Sequence, residues 1–233
     1  MDAVILAAGL GTRLRPHTLT TPKPLLPVQG RPLMDWTLQA LPKVVDRVIV
    51  VVHYLADQIE TFIATTQQRF QKHALVPQGE PQGTGDALRK CRDFIESDSF
   101  LVLNGDDLYS GRDLATLAAC RAGVMVHPVM EPEKFGVAIL KADGILDRLE
   151  EKNKALKGPQ LANVGAYKFP KEVFDLELTL SPRGEYEITE YVSKLAQKEP
   201  FHVIETDFWL PIGTEEAWNH AQQQDLQGNM KAH

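Results

Sequence analysis

Cysteine is scarce in this sequence, which excludes a cysteine-based metal or redox site. Cys91 and Cys120 are the two cysteines among 233 residues, and their spacing matches no metal or redox motif. We therefore expect two small buried side chains in a reducing compartment.

An excess of positive charge is also missing. The formal net charge is −6 at pH 7, and the sequence pI is about 5.7. A chain of this charge has no broad basic surface, which excludes nucleic acid as a partner. Any anion site must therefore be local, built from placed cations and backbone N–H groups.

Long apolar runs are absent as well. No run approaches the roughly 20 residues that a membrane-spanning helix needs, so we expect no membrane partner. The N-terminal apolar run is short and leads directly into a glycine-containing loop, unlike a secretory signal. We therefore expect a cytoplasmic protein. A hydrophobic fraction of 43% and a charged fraction of 24% in 233 residues are typical of one soluble globular domain.

The first 26 residues combine a short apolar run with a loop suited to phosphate. Residues 3–6 are apolar and predict a buried strand, and residues 7–12 are mostly small. Gly9 and Gly11 can adopt positive φ, and such a turn can direct several N–H groups at one anion. Prolines interrupt the segment that follows. This segment carries three cations, which would lie beside the anion: Arg13, Arg15 and Lys23.

Two common phosphate motifs do not fit this loop. Leu14 occupies the third glycine position of the Rossmann fingerprint, and no Gly-Lys-Ser or Gly-Lys-Thr follows for a Walker loop. Residues 9–25 instead match G-x-G-T-R-L-x-P-x-T-x-x-x-P-K-P-L. The chain thus resembles the sugar-1-phosphate nucleotidyltransferases, over roughly residues 1 to 220.

The first ~105 residues alternate strands with helices, which predicts a doubly wound parallel sheet. The second half is richer in strands and has little helix between them. With the resemblance, this predicts an α/β fold: a Rossmann-like doubly wound mixed β-sheet flanked by helices (the nucleotide-diphospho-sugar transferase fold) with a small β-rich sugar-binding lobe. We expect one domain over 1–233, with a nucleotide half at 1–110, a sugar-phosphate half at 111–225 and a frayed tail at 226–233.

A second glycine-rich loop, at residues 77–87, runs into a predicted helix. Within the family this loop holds the base, and Gln78 and Gly83 occupy the positions of the base-pairing glutamine and its glycine. A Gln amide can satisfy N3–H and O4 of uracil or thymine together. The resemblance implies these nucleotide-binding residues: Leu6, Ala8, Gly9, Gly11, Thr12, Arg13, Gln78, Gly83 and Thr84.

Asp106 directly follows a predicted buried strand and is the expected metal residue. A carboxylate at a strand end beside a triphosphate can hold Mg²⁺, and the family's Gly-Asp carries the metal in this way. The resemblance implies three catalytic residues. Arg13 would stabilise the leaving pyrophosphate, Lys23 would bridge the sugar phosphate and the α-phosphate, and Asp106 would hold the Mg²⁺. Asp107 is expected to point elsewhere.

Three stretches of the second half resemble the sugar-phosphate side of the family: 135–137, 150–152 and 163–167. The last two correspond to its Glu-Glu-Lys-Pro and Asn-x-Gly-x-Tyr motifs, although Asn153 replaces the proline. The resemblance implies these sugar-phosphate-binding residues, together with Lys23: Gly136, Glu151, Lys152 and Asn163. A fourth match, 185–190, predicts a helix start under the sugar site.

One position departs from the family. Many members have Trp-x-Asp-x-Gly-Thr near the C-terminus, where the Asp is a second metal ligand, but here Pro211 occupies that position. We expect either that phosphate oxygens and water complete the shell around a cation on Asp106, or that Asp207 reaches the site instead.

The resulting prediction is Mg²⁺-dependent nucleotidyl transfer from UTP or dTTP to a sugar 1-phosphate, giving an NDP-sugar and pyrophosphate. Two alternatives stay open: a cytidylyl- or guanylyltransferase of the same family, and a non-catalytic NDP-sugar-binding homologue permitted by Pro211. The hexapeptide-repeat extension of acetyltransferase-fused members is missing, so we expect no second activity. The sequence indicates neither the sugar nor the oligomeric state.

Overall fold

The fold is a central mixed sheet covered by helices on both faces. A computed structural model of the chain describes residues 1–65, 70, 72–151, 153 and 155–231. The strands are β1 (Asp2–Leu6), β2 (Pro27–Val28), β3 (Arg31–Pro32), β4 (Arg47–Val52), β5 (Lys72–Pro77), β6 (Ser99–Asn104), β7 (Asp107–Tyr109), β8 (Gly123–Val129), β9 (Gly136–Leu140), β10 (Leu146–Glu151), β11 (Gln160–Pro170), β12 (His202–Glu205) and β13 (Trp209–Pro211).

The α-helices alternate with these strands through the first half and reappear toward the C-terminus. They are α1 (Leu33–Ala40), α2 (Ala56–Thr65), α3 (Thr84–Arg89), α4 (Gly111–Ala119), α5 (Ile188–Ala196), α6 (Glu215–Ala221) and α7 (Leu226–Asn229). In the described ranges, no helix is long and apolar enough to cross a membrane.

The sheet joins a parallel half to a largely antiparallel half. Strands β5, β4, β1 and β6 are parallel neighbours in that order, and β11 pairs antiparallel with β6. Strands β9 and β10 continue the sheet beyond β11, and β8 pairs with both β11 and β12. The predicted α/β fold with a mixed sheet is therefore confirmed, and the strand-rich second half extends the same sheet.

Alternate residues of the central strands enter two separate apolar layers. Along β4, Val48 and Val50 pack with α1 and α2 on one face, whereas Ile49 and Val51 pack with α3 and α5 on the other. All six residues of β4 are buried. A strand covered on both faces needs a continuous β-branched run of this kind, because successive side chains point in opposite directions.

Helix α4 precedes the strand-rich stretch and was not predicted from the sequence. Ser110 caps it by accepting a hydrogen bond from the N–H of Asp113 at 3.2 Å. Only two of its large apolar side chains, Leu114 and Leu117, are buried. This short apolar stripe gives a weak helical period, which is why the sequence pattern did not reveal it.

The sequence pattern predicts helices over 84–95 and 55–70, and these two helices and the C-terminal tail differ from the prediction. The helix predicted over 84–95 ends at Arg89, and a 3₁₀ turn at Arg92–Phe94 follows. The helix predicted over 55–70 begins at Ala56, and part of its expected C-terminal half lies outside the described residues. The predicted frayed tail is wrong at its start, because Leu226 and Met230 are fully buried around α7.

Candidate active site

A cleft of about 420 Å³ opens at the carboxyl ends of β1, β5 and β6. In open α/β sheets this edge is where ligands bind. The cleft is lined by every residue predicted to bind nucleotide and by two further predicted catalytic residues: Leu6, Ala8, Gly9, Gly11, Thr12, Arg13, Gln78, Gly83, Thr84, Lys23 and Asp106. Sequence positions about 100 residues apart thus meet at one edge of the sheet.

The loop after β1 presents unbonded backbone groups to this cleft. The N–H groups of residues 8–11 make no hydrogen bond within the described part of the chain. Gly11 has φ +62°, and a Cβ there would lie 2.9 Å from Cγ2 of Thr18. The Thr18 hydroxyl donates to the Gly11 carbonyl at 2.8 Å, which fixes the turn. Consecutive free N–H groups in a left-handed turn form an anion-binding concavity.

Arg13 supplies a mobile positive charge at the mouth of the cleft. Its side chain is exposed and makes no hydrogen bond or ion pair with the described residues. A Cβ at Gly213 would lie 3.5 Å from the Arg13 guanidinium, so the segment after β13 lies against the guanidinium. Arg15 is also exposed, but it does not line the cleft.

Lys23 and Asp106 form an ion pair across the cleft. The Lys23 Nζ lies 2.6 Å from Oδ2 of Asp106, and the side chains are 8% and 42% exposed. Lys23 begins a 3₁₀ turn, closed by a hydrogen bond from the N–H of Leu26 to the Lys23 carbonyl at 3.0 Å. The ammonium is therefore held on a fixed backbone, while the carboxylate keeps an open side toward the cleft.

Asp107 points away from the cleft into the protein, as expected. It is buried, and the indole N–H of Trp209 donates to its Oδ2 at 3.2 Å. Burial and the adjacent Asp106 carboxylate hold the pKa of Asp107 well above its ordinary value. Asp107 also pairs with Pro211 between β7 and β13, so position 211 lies at the site even though its side chain cannot bind a metal.

Gln78 is buried, and its amide is held from within the protein. Its Nε2 donates to the Gly83 carbonyl at 3.0 Å and to the Asp86 carboxylate at 3.3 Å. Arg89 in turn donates to Asp86 at 2.8 Å. Two acceptors beside Nε2 settle the amide orientation and leave Oε1 available to a base. The sequence-based expectation of two simultaneous hydrogen bonds from Gln78 to a base is reduced to one in this arrangement.

The base loop is clamped by the segment that precedes α5. The N–H of Tyr186 donates to the Gln82 carbonyl at 2.8 Å, and the Tyr186 carbonyl accepts from the N–H of Gly85 at 2.8 Å. The N–H of Ile188 donates to the Thr84 hydroxyl at 3.1 Å. Gly83, at φ +110°, permits this approach, because a Cβ there would overlap the Tyr186 carbonyl.

Gly83→Ala should destabilise the fold by about 2–4 kcal/mol, because the new methyl group overlaps backbone and the φ angle suits glycine. Urea unfolding of the purified chain measures this difference. Gly79→Ala is the matched control: Gly79 also has positive φ (+75°), but a Cβ there meets nothing within 4 Å. Equal losses in the two variants would show that the clamp does not require Gly83.

Apart from Lys23, the described residues predicted to bind the sugar phosphate lie outside the cleft lining, on β9, β10 and β11: Gly136, Glu151 and Asn163. Glu151 pairs opposite Gly136, and its Oε1 lies 3.0 Å from where a Gly136 Cβ would be. Asn163 donates to the hydroxyl of Tyr167 at 2.7 Å and accepts from the N–H of Gly165 at 3.0 Å. Burial, together with the Glu151 carboxylate, raises the pKa of Tyr167, so these groups lie close together. Lys152 lies outside the described residues.

The available oxygen ligands fit a cation that is shared with a substrate. No group of three or more His, Cys, Asp or Glu side chains comes together as a metal site among the described residues. Asp106 lines the same cleft as the free N–H groups, and Mg²⁺ commonly uses one or two carboxylates plus substrate phosphates. Asp207 does not line the cleft; its side chain is 93% exposed and lies 3.6 Å from Arg112.

Two polar side chains of the cleft were not predicted as site residues. Asn104 and Glu185 both line it, the first at the end of β6 and the second in the clamping segment. Asn104 could have been found, because it directly follows an apolar strand that ends at the ligand-binding edge. The family match at 185–190 marks the segment of Glu185 but not its place in the nucleotide cleft, which depends on hydrogen bonds to a loop about 100 residues earlier.

The sequence of the chain is similar to those of curated nucleotidyltransferases. The chain is 35% identical over 216 residues to the bifunctional protein GlmU of Methanocaldococcus jannaschii, covering 91% of this chain and 51% of the relative. It is 34% identical over 224 residues to a glucose-1-phosphate thymidylyltransferase of Streptomyces griseus, covering 91% and 62%. The chain thus spans about half to two-thirds of the length of these curated relatives.

A solved structure and a family profile give the same assignment. A Bacillus anthracis protein described as a glucose-1-phosphate thymidylyltransferase, solved with sucrose, superposes with a TM-score of 0.84 at 29% identity. The match covers 95% of this chain and 94% of that one. The profile of the nucleotidyl transferase family matches residues 2–228. The chain therefore belongs to the nucleotidyl transferase family.

Proposed function

We propose that the chain transfers a nucleotidyl group from UTP or dTTP to a sugar 1-phosphate, with release of pyrophosphate. One observation carries this proposal: a single cleft contains the Lys23–Asp106 pair together with Arg13 and the N–H groups of residues 8–11, which have no partner in the described part of the chain. These N–H donors and cations can bind the oxygens of a triphosphate and of a second phosphate beside it. The names of the thymidylyltransferase relatives support the same reaction class.

The reaction is an in-line displacement at the α-phosphorus. An oxygen of the sugar phosphate forms the new P–O bond, and the bond from the α-phosphorus to the bridging oxygen breaks as pyrophosphate leaves. Lys23 lies where negative charge develops between the two phosphates, and its buried ammonium neutralises that charge. Arg13 binds the terminal phosphates and stabilises the leaving group. Most of the catalysis therefore comes from positioning and charge neutralisation.

Asp106 is the residue proposed to hold Mg²⁺. When bound there with the triphosphate, the cation would neutralise phosphate charge and align the reactants. Asp106 already neutralises part of the Lys23 charge, which keeps the ammonium oriented while the cleft is empty of phosphate. Pro211 leaves no second carboxylate at the family position, so we propose that substrate oxygens and water complete the coordination.

The base and the sugar are bound at opposite ends of the site in this proposal. Oε1 of Gln78 accepts the N3–H of uracil or thymine, with the base lying against Gly83. Glu151 is half-buried without a hydrogen bond or ion pair to the described residues, so its carboxylate can accept from sugar hydroxyls. Asn163 retains one N–H for a hydroxyl or N-acetyl group, and Lys152 would meet the sugar phosphate.

Pyrophosphate release tests the proposal. We expect release from UTP or dTTP with Mg²⁺ and at least one member of a panel of sugar 1-phosphates, including glucose and N-acetylhexosamine phosphates. CTP and GTP in the same panel test the cytidylyl- and guanylyltransferase alternatives. Phosphocholine in place of the sugar phosphate is the acceptor control. Release with phosphocholine alone would contradict a sugar-phosphate enzyme.

Pro211 favours one second candidate, a non-catalytic NDP-sugar-binding protein. The loss of a family metal ligand beside Asp107 is the observation behind it. Such a protein would bind an NDP-sugar in calorimetry and release no pyrophosphate with any nucleotide of the panel. Turnover with any pair of substrates excludes this candidate.

A further inference from the structure

Glu185 is a carboxylate that lines the nucleotide cleft without a role in the reaction described above. It comes from the segment before α5, and its Cβ lies 3.1 Å from where a Gly83 Cβ would be. Its side chain is 44% exposed. The carboxylate carbon is two bonds beyond Cβ, so the group reaches past the loop proposed to hold the base.

The backbone of Glu185 is held in place independently of its side chain. The N–H of Ser181 donates to the Glu185 carbonyl at 2.9 Å, and the next residue, Tyr186, is bonded to the base loop on both sides. Among the described residues its side chain forms one ion pair, with Arg183 at 3.5 Å, and that side chain is about as exposed as Glu185. The Glu187 carboxylate also lies near enough to repel it. A solvated pair at this distance is weak and leaves carboxylate oxygens free.

A carboxylate in a cleft for a triphosphate needs a cation or a neutral hydrogen-bond donor, because phosphate oxygens repel it; the cations of this site are assigned above to Asp106 and to the phosphates, which leaves a neutral donor for Glu185. A nucleotide offers such donors on the base and on the ribose hydroxyls. The base edge is already the partner of Gln78, whereas no residue assigned above meets the ribose. The 2′- and 3′-hydroxyls are vicinal donors that match the two oxygens of one carboxylate, and acidic residues bind ribose in this way in dinucleotide-binding folds.

We propose that Glu185 binds the ribose hydroxyls of the nucleotide and selects ribonucleotides over 2′-deoxyribonucleotides. The inference rests on the proposed function and narrows it, because UTP then becomes the preferred nucleotide and dTTP the poorer one. The charged hydrogen bond to the 2′-hydroxyl forms with UTP and is lost with dUTP, which has the same base. UTP and dUTP therefore isolate the sugar from the base.

The test is the ratio of kcat/KM for UTP to kcat/KM for dUTP. We expect a ratio of at least about tenfold in the parent chain, the value of one hydrogen bond to a charged group. Glu185→Ala should bring the ratio close to one. Glu185→Gln should give an intermediate ratio, because the amide oxygen still accepts a hydrogen bond. Glu177→Ala, an exposed glutamate outside the cleft, should keep the parent ratio.

Equal use of UTP and dUTP by the parent chain would overturn the inference, and so would an unchanged ratio in Glu185→Ala. A change in the UTP-to-CTP ratio alone would instead place Glu185 at the base. Calorimetry with UDP and dUDP gives the same comparison without turnover. If no nucleotide releases pyrophosphate but UDP still binds more tightly than dUDP through Glu185, the proposed function fails and the inference stands. Failure to bind either nucleotide overturns both.

Discussion

Lys23→Ala should lower kcat for pyrophosphate release by about 100- to 1,000-fold, the usual loss on removing one preorganised charge-stabilising group. The ammonium is 8% exposed and lies 2.6 Å from Asp106, so it acts from a water-poor position where its charge is weakly screened. Its effect is greatest where phosphate charge accumulates during transfer. Steady-state kinetics with saturating UTP and sugar 1-phosphate measure the change.

Two further variants separate charge from packing at this position. Lys23→Met keeps much of the buried side-chain volume and removes the ammonium, so it should lose nearly as much activity as Lys23→Ala. Lys43→Ala removes an exposed lysine outside the cleft and should leave kcat unchanged. Asp106 is 42% exposed, so water can solvate its carboxylate and the fold should survive. A kcat near that of the parent in Lys23→Met would remove Lys23 from the catalytic step.

The nucleotide half of the site could be predicted because its information is contiguous. The strand, the glycine turn and the cations all lie within 26 residues, and the apolar runs around residues 75 and 102 place the other loops at the same edge. A parallel sheet then brings these loops together whatever the helices between them do. This is why predicted residues as distant as Gly11 and Asp106 line one cleft.

The rest of the site and helix α7 depend on tertiary contacts that no local sequence pattern indicates. The clamp between residues 82–85 and 186–188 consists of backbone hydrogen bonds, which any side chains can make. The family match at 185–190 therefore predicted a helix start under the sugar site and did not predict that Glu185 lines the nucleotide cleft. Gln78 was predicted as a base reader, but the acceptors that fix its amide, the Gly83 carbonyl and Asp86, emerge from tertiary structure. Helix α7 was missed for a related reason, because burial against the core outweighs its polar composition.

Asp106→Asn should abolish most of the turnover, and the residual turnover should no longer depend on Mg²⁺. The variant keeps the size of the side chain and the backbone hydrogen bond from the N–H of Ile212 to the residue 106 carbonyl at 3.1 Å. It removes the carboxylate that pairs with Lys23 in the cleft of the free N–H groups of residues 8–11. A neutral amide is a poor ligand for a hard dication, so the binding of the metal should weaken more than that of the nucleotide.

Binding of Mn²⁺ in the presence of UTP, followed by electron paramagnetic resonance, gives a readout that does not depend on turnover. Asp106→Asn should weaken it by more than about tenfold, since loss of even an outer-shell partner costs that much. Asp207→Asn is the matched control, because its carboxylate is 93% exposed beside Arg112 and does not line the cleft. Unchanged metal binding in Asp106→Asn, with a loss in Asp207→Asn, would mean that Asp207 reaches the site and replaces the family ligand missing at Pro211. Each of the two variants removes one negative charge. A loss of metal binding in Asp106→Asn alone indicates a cation held by Asp106 and substrate phosphates, whereas a loss in Asp207→Asn alone indicates a cation held by Asp207.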